Sequence, residues 1–159
     1  MELDRFDRLL LNLVQEDAAQ TTERMAQQVP LSPSAIQRRL RRLREQGVIA
    51  REIAVVEPRK VGRPTSFIVS LQVERDRPEL LGELRAWLAA QPHVQQAFYV
   101  TGEVDFVVVV TTPDTETYDT LMARLMHDNP NVKRFTTHVA LGILKRGLTI
   151  PVPLEADAG

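Results

Sequence analysis

The chain has no cysteine, which excludes a disulfide framework and any thiolate metal site. It also lacks an apolar run of transmembrane length and a signal-peptide pattern at its N-terminus, so the expectation is a cytoplasmic protein with no membrane partner. Its three histidines are scattered, and there is no HExxH, P-loop or GxSxG motif. Glu103 and Asp105 are a pair of carboxylates, but they flank one turn and have no partner group nearby in sequence. No catalytic constellation is left, and the expectation is a protein that is not an enzyme and needs no metal or cofactor. A net charge of −1 gives no hint of a partner when taken over the whole chain.

The charge is, however, unevenly placed. Residues 1–64 hold twelve Arg/Lys against nine Asp/Glu, and residues 65–159 hold eight against twelve. Within 31–63 the count is nine basic against three acidic. Such a local excess is expected where one face meets phosphate and the rest of the chain does not. With 159 residues and 43% apolar content, the chain suits one ordinary domain or two small ones with packed cores.

The basic excess centres on Ser32–Gly47. Ser32 is a good helix N-cap, Pro33 fits the first helical position, and Gly47 suits the residue past the end. Ile36, Leu40 and Leu43 make one narrow apolar stripe. Ser34, Arg38, Arg41 and Glu45 fall opposite, with Gln37 and Arg42 flanking. Small polar and Arg side chains opposite a buried stripe can lie in a DNA major groove. Ser32, Ser34, Gln37, Arg38, Arg41 and Arg42 are therefore the candidate DNA contacts. Ser34 and Gln37 sit nearest the helix start and are the candidate base readers. Arg42, Arg44 and Arg51 suit phosphate or solvent, and Arg39, beside the stripe, suits a packed ion pair.

Two helices precede this one. Asp4 can cap the first, with Phe6, Leu9, Leu10, Leu13 and Val14 as its stripe; Thr21 or Thr22 can cap a short second carrying Met25, Ala26 and Val29. The tight turn Val29-Pro30-Leu31 then leads to Ser32, which is the order of a helix-turn-helix. Val48–Glu57 is rich in β-branched residues and reads as an extended wing or hairpin, and Pro58–Pro64 as a linker.

The second half reads β-α-β-β-α-β. Phe67, Val69, Leu71 and Val73 alternate along a first strand. Pro78 opens a helix with Leu80, Leu81, Leu84, Trp87 and Leu88 on one side. Strands follow at Val94–Val100 and Val104–Thr112, a helix at Thr115–Asp128, and a last strand from Val132 to about Leu144. This is the order of a ferredoxin-like split βαβ unit with both helices on one sheet face. Phe106–Val110 is apolar on both faces, so the sheet face without helices is expected to be covered, most economically by a second copy of the chain. The expected class is α+β. Residues 1–50 form the helix-turn-helix, 51–64 the wing and linker, 65–150 the ferredoxin-like domain and 151–159 a tail.

These motifs resemble the Lrp/AsnC (feast/famine) family of transcription regulators along nearly the whole chain. The N-terminal likeness lies in Leu3-Asp-Arg-Phe-Asp-Arg-Leu-Leu, Leu31-Ser-Pro-Ser, Arg39-Leu-Arg-Arg-Leu43 and Gly47-Val-Ile49. The C-terminal likeness lies in Thr101-Gly-Glu-Val-Asp-Phe106 and Thr136-Thr-His-Val-Ala-Leu141. The resemblance implies a winged helix-turn-helix joined to a βαββαβ effector domain, often called RAM. It implies dimers through that domain, assembly up to octamers, and an amino acid or related small molecule bound between dimers. By motif position Tyr99, Thr101, Gly102 and Asp105 would line the effector pocket, with His138, Val139 and Ala140 as its other wall. A Gly-containing turn suits a carboxylate, and Asp105 can pair with an ammonium group. The chain departs from the family pattern at Ala19, at Pro30 and at Arg24, which removes a capping box; His138 bears on which ligand is accepted.

The function implied is a sequence-specific regulator whose assembly or DNA affinity responds to an amino acid. The alternative is an amino-acid-sensing module that docks on a protein partner.

Overall fold

The computed structural model describes residues 2–62, 64–74 and 77–154. The chain divides into two compact units, Met1–Val55 with Lys145–Gly159, and Val56–Leu144.

The first unit is a three-helix bundle: α1 (Arg5–Glu16), α2 (Thr22–Ala26) and α3 (Pro33–Glu45). Asp4 caps α1 in a capping box, its side chain accepting the Asp7 N–H while the Asp7 carboxylate accepts the Asp4 N–H. Thr21 caps α2 through the Arg24 N–H, so that helix keeps a cap despite the loss of its acidic third residue. Ser32 caps α3 through the Ala35 N–H, with Pro33 in the first turn. Past its end Gly47 takes φ +70°, a left-handed conformation that glycine adopts at no steric cost. The core joins Leu10, Leu11 and Val14 to Met25 and Val29 and to Ile36, Leu40 and Leu43.

Three expectations need revision here. The buried face of α1 is Asp7, Leu10, Leu11 and Val14, whereas Phe6, Leu9 and Leu13 lie at its margin. Val48–Glu57 forms no strand among the described residues, so there is no β wing. No second strand lies beside it to complete a ladder, and Arg44 pins it to α3 through Glu52 at 2.7 Å. Residues 145–154, expected to end the ferredoxin-like domain and begin a C-terminal tail, group with the helical unit. Asn12 holds the backbone of Val152 from both sides, Gln15 does the same to Ile150, and Arg8 donates to the Pro153 carbonyl. Residues 155–159 of the expected tail, and Arg63 of the expected linker, lie outside the described residues.

The second unit is a four-stranded antiparallel sheet of β1 (Thr65–Val73), β2 (Val94–Tyr99), β3 (Phe106–Thr112) and β4 (Val132–Val139), in the order β2-β3-β1-β4. Helices α4 (Pro78–Ala90) and α5 (Thr115–Asp128) provide the crossovers. Phe67, Val69 and Leu71 of β1 and Phe106, Val108 and Val110 of β3 face Leu81, Leu84 and Leu88 of α4 and Leu121, Met122 and Leu125 of α5. This is the expected ferredoxin-like arrangement. The strand expected to reach Leu144 stops at Val139. Ala140 donates one last bond to the Ser66 carbonyl, next to the first residue of β1, and beyond it the chain has no strand to pair with.

Candidate nucleic-acid interface and effector site

An α-helix can present a defined face to a partner only if its roll about its own axis is fixed. In α3 that role falls to a charge as well as to the apolar stripe. Asp7, 1% exposed, sits on the inner face of α1 in line with Leu10, Leu11 and Val14. Its carboxylate receives Arg39 at 2.8 Å and Arg42 at 2.5 Å. Arg39 also reaches Asp4 at 2.7 Å and lies 5.6 Å from the Phe6 ring centroid. Burial of Asp4 opposes its ionisation, but the Asp7 N–H and the Arg39 guanidinium hold its pKa below the ordinary 3.8. The same bond to Asp4, outweighing burial, raises that of Arg39. Two of the five arginines of α3 are thus drawn inward, and a third, Arg44, is paired with Glu52.

The opposite face is left open. Ser32, Ser34, Gln37, Arg38 and Arg41 are exposed. The Ser32 and Ser34 hydroxyls lie 3.1 Å apart at the helix start. Arg41 approaches Glu45 only at 4.0 Å, and Arg38 has no ion-pair partner among the described residues. Five of the six candidate DNA contacts therefore share one solvent face. Arg42 does not belong with them, because its guanidinium is engaged by the buried Asp7.

Sequence reasoning placed Arg39 as a packed ion pair but missed the residue that holds it. Asp7 was visible as a carboxylate at helical spacing from Leu10, Leu11 and Val14, where an apolar side chain is expected.

In the second unit the turn after β2 has Gly102 at φ +126°, a conformation other residues rarely adopt, with open space where a Cβ would lie. Asp105 closes this turn. Its N–H donates to the Leu71 carbonyl, its carbonyl accepts the Val100 N–H, and its carboxylate accepts the Val73 N–H at 2.8 Å. Thr101 and Gly102 stand exposed beside it. Tyr99 packs its ring on Phe106 and lies under the Arg85 guanidinium.

The other expected wall lies elsewhere. His138 pairs with Ile68 and Val139 with Phe67 on β4, while the Asp105 turn binds Leu71 and Val73 at the far end of β1. With β3 and β4 on opposite sides of β1, one chain does not bring the turn and His138–Ala140 into one pocket. Among the described residues no group of His, Asp and Glu is placed to hold a metal ion, and no helix is long and apolar enough to cross a membrane.

Comparison with known proteins finds the AsnC-type helix-turn-helix domain at residues 3–44 and the Lrp/AsnC ligand binding domain at residues 66–150. An uncharacterized HTH-type transcriptional regulator of Sinorhizobium fredii, y4tD, is 39% identical over 154 residues, covering 97% of this chain and 91% of that one. The crystal structure of an AsnC family transcriptional regulator from Agrobacterium tumefaciens is similar with a TM-score of 0.84 and 28% identity, covering 94% of this chain and 97% of that one. A feast or famine regulatory protein from M. tuberculosis, complexed with L-methionine, is similar with a TM-score of 0.79 and 25% identity, covering 96% and 100%.

Proposed function

Because the chain belongs to the Lrp/AsnC family of DNA-binding transcriptional regulators, we propose that α3 reads its operator and that an amino acid taken up at the β2–β3 turn changes assembly or DNA affinity. The observation that supports the first part is the division of α3. Arg39 and Arg42 are tied to Asp7, and Ser34, Gln37, Arg38 and Arg41 face outward. Ser34 and Gln37 read base edges near the helix start, with Arg38 and Arg41 on bases or phosphates. Residues 1–50 carry this activity, and it is exercised on DNA in the cytoplasm.

The amino-acid part is supported by the L-methionine complex of the mycobacterial relative and by the chemistry of the turn. Exposed backbone at Thr101 and Gly102 can approach a carboxylate, and Asp105 offers charge to an ammonium group. Since the turn and His138–Ala140 lie at opposite ends of β1, a pocket lined by both draws on more than one copy of the chain. A homodimer has support of its own. The sheet face away from the helices carries Ile68, Val107 and Val109 only half covered, and Leu141 and Leu144 beyond β4 are fully exposed. Dimers joining into octamers would place effector pockets at their contacts, where a ligand shifts assembly by its differential affinity.

The test is selection of binding sites from random duplexes by the full-length protein, followed by titration across salt. An imperfect palindrome with half-sites about one DNA turn apart, or a multiple, and a steep fall of log K with log salt are expected. A flat salt response with no enriched sequence would sink the reading.

A further inference from the structure

We propose that the turn Glu57–Gly62, between α3 and β1, is a second DNA-reading element that enters the minor groove of A·T-rich DNA flanking the half-site read by α3. The turn is built without its basic side chains. The Glu57 carboxylate caps it by accepting the Arg59 N–H at 3.2 Å, the Lys60 N–H donates to the Glu57 carbonyl at 3.0 Å, and the Val61 N–H donates to Pro58 at 3.1 Å. Pro58 opens this short 3-10 turn and Pro64 follows it.

Arg59 and Lys60 are exposed, and among the described residues neither forms an ion pair. They differ in this from Arg39, Arg42 and Arg44, each of which is paired with a carboxylate of the same chain. Gly62 stands at φ +104° with open space around it, so the backbone there needs glycine for its conformation and not for packing.

A compact turn of this kind, carrying cations and little bulk beyond the exposed Val61, suits a groove about 6 Å wide. A·T tracts narrow that groove further and deepen its negative potential, which draws in Arg and Lys. A purely phosphate-binding segment would need only the charge, and neither the fixed turn nor the glycine. Reach is not limiting. Twelve residues lie between Gln46, just past α3, and Arg59. At about 3.3 Å each they span more than the roughly 17 Å of half a DNA turn between a major groove and the next minor groove.

The experiment uses the full-length protein and a duplex carrying the sequence it enriches, with flanks of A·T, G·C or I·C pairs. An I·C pair keeps the major-groove pattern of G·C but lacks the minor-groove amino group. Binding with A·T and I·C flanks should be alike, and about tenfold weaker with G·C flanks. The Arg59→Gln/Lys60→Gln variant should lose this preference, with a salt slope lower by up to about two and unchanged thermal unfolding. Indifference of the wild-type chain to its flanks would overturn the proposal, as would a variant weakened by the same factor on all three. An Arg38→Ala/Arg41→Ala variant should keep the flank preference while losing the core sequence, so failure of α3 reading is told apart from failure of the turn.

Discussion

Asp7 on α1 and Arg39 on α3 meet at 2.8 Å with the carboxylate almost fully buried, and Arg42 shares the same carboxylate from the next turn of α3. Two guanidiniums 32 and 35 residues away in sequence thus converge on one anion. The apolar stripe of α3 holds it against the bundle, and this pair of bonds sets which way its other face points.

Removing the carboxylate leaves Arg42 without an anion and Arg39 with only the half-exposed Asp4. Asp7→Ala should therefore cost about 3 kcal/mol, in the range for breaking a buried pair from one side. Urea unfolding measures it. DNA affinity of the remaining folded protein should fall as well, because α3 is no longer fixed in its roll. A variant as stable as the wild type would refute the anchoring role.

Arg42 and its neighbours on α3 should separate cleanly. Arg38→Ala and Arg41→Ala are expected to weaken DNA binding by roughly tenfold each while leaving the unfolding midpoint in place. Arg42→Ala should do the opposite first, lowering the midpoint through loss of its bond to Asp7. Parallel unfolding curves and DNA titrations on the three variants check the assignment.

How much of this could be read beforehand depends on the range of the interaction. The caps at Asp4, Thr21 and Ser32, the stripe Ile36-Leu40-Leu43 and the glycine after α3 are local, and three or four residues suffice to recognise them. The alternating strand Phe67-Val69-Leu71 and the order of the second half gave the sheet for the same reason. What escaped depends on partners far along the chain. Val48–Glu57 has strand composition, yet a strand needs a neighbour and none lies beside it. Residues 145–154 looked like the end of the second domain, because nothing local to them announces Asn12 and Gln15 as their partners. Asp105 reads as a ligand group from its motif, while its bond to the Val73 N–H is a contact across 32 residues.

The Asn12 and Gln15 amides each bond one residue of the 145–154 segment twice, as donor and as acceptor, in the manner of a strand partner. Asn12→Ala/Gln15→Ala should free the segment without opening the bundle, since both side chains lie outside the core. Amide exchange at Ile150 and Val152 is expected to quicken by tenfold or more, at about 1 kcal/mol per bond lost, with Leu10 and Leu40 unchanged. Unaltered exchange at the two positions would show that the segment is held some other way.

Asp4 gives the first unit an acid limb. Its folded pKa lies below the ordinary 3.8, so its charge stabilises the unit above that pH, and the contribution is lost as the pH falls through the folded value. The side chain is half exposed, which keeps the effect modest. Asp4→Asn preserves a good N-cap and removes only the charge. Its stability should therefore match the wild type near pH 2 and fall short of it at pH 6, as followed by urea midpoints. A constant gap across that range would assign the loss to the cap.

Asp105 has two claims on its carboxylate: the Val73 N–H it already accepts, and the ammonium of an amino acid at the Thr101–Gly102 turn. Substitution by alanine removes both and would confuse them. Asp105→Asn keeps an oxygen for Val73 and discards the charge, so the sheet should unfold at its normal midpoint. Wild-type protein screened against the twenty amino acids should show a ligand that raises its apparent stability, as any molecule binding only the folded state must. With Asp105→Asn that rise should shrink to nothing at the same ligand concentration, while DNA binding without ligand stays as before. Calorimetry that finds full ligand uptake by this variant would remove Asp105 from the effector site and leave it as the residue that ties the turn to β1.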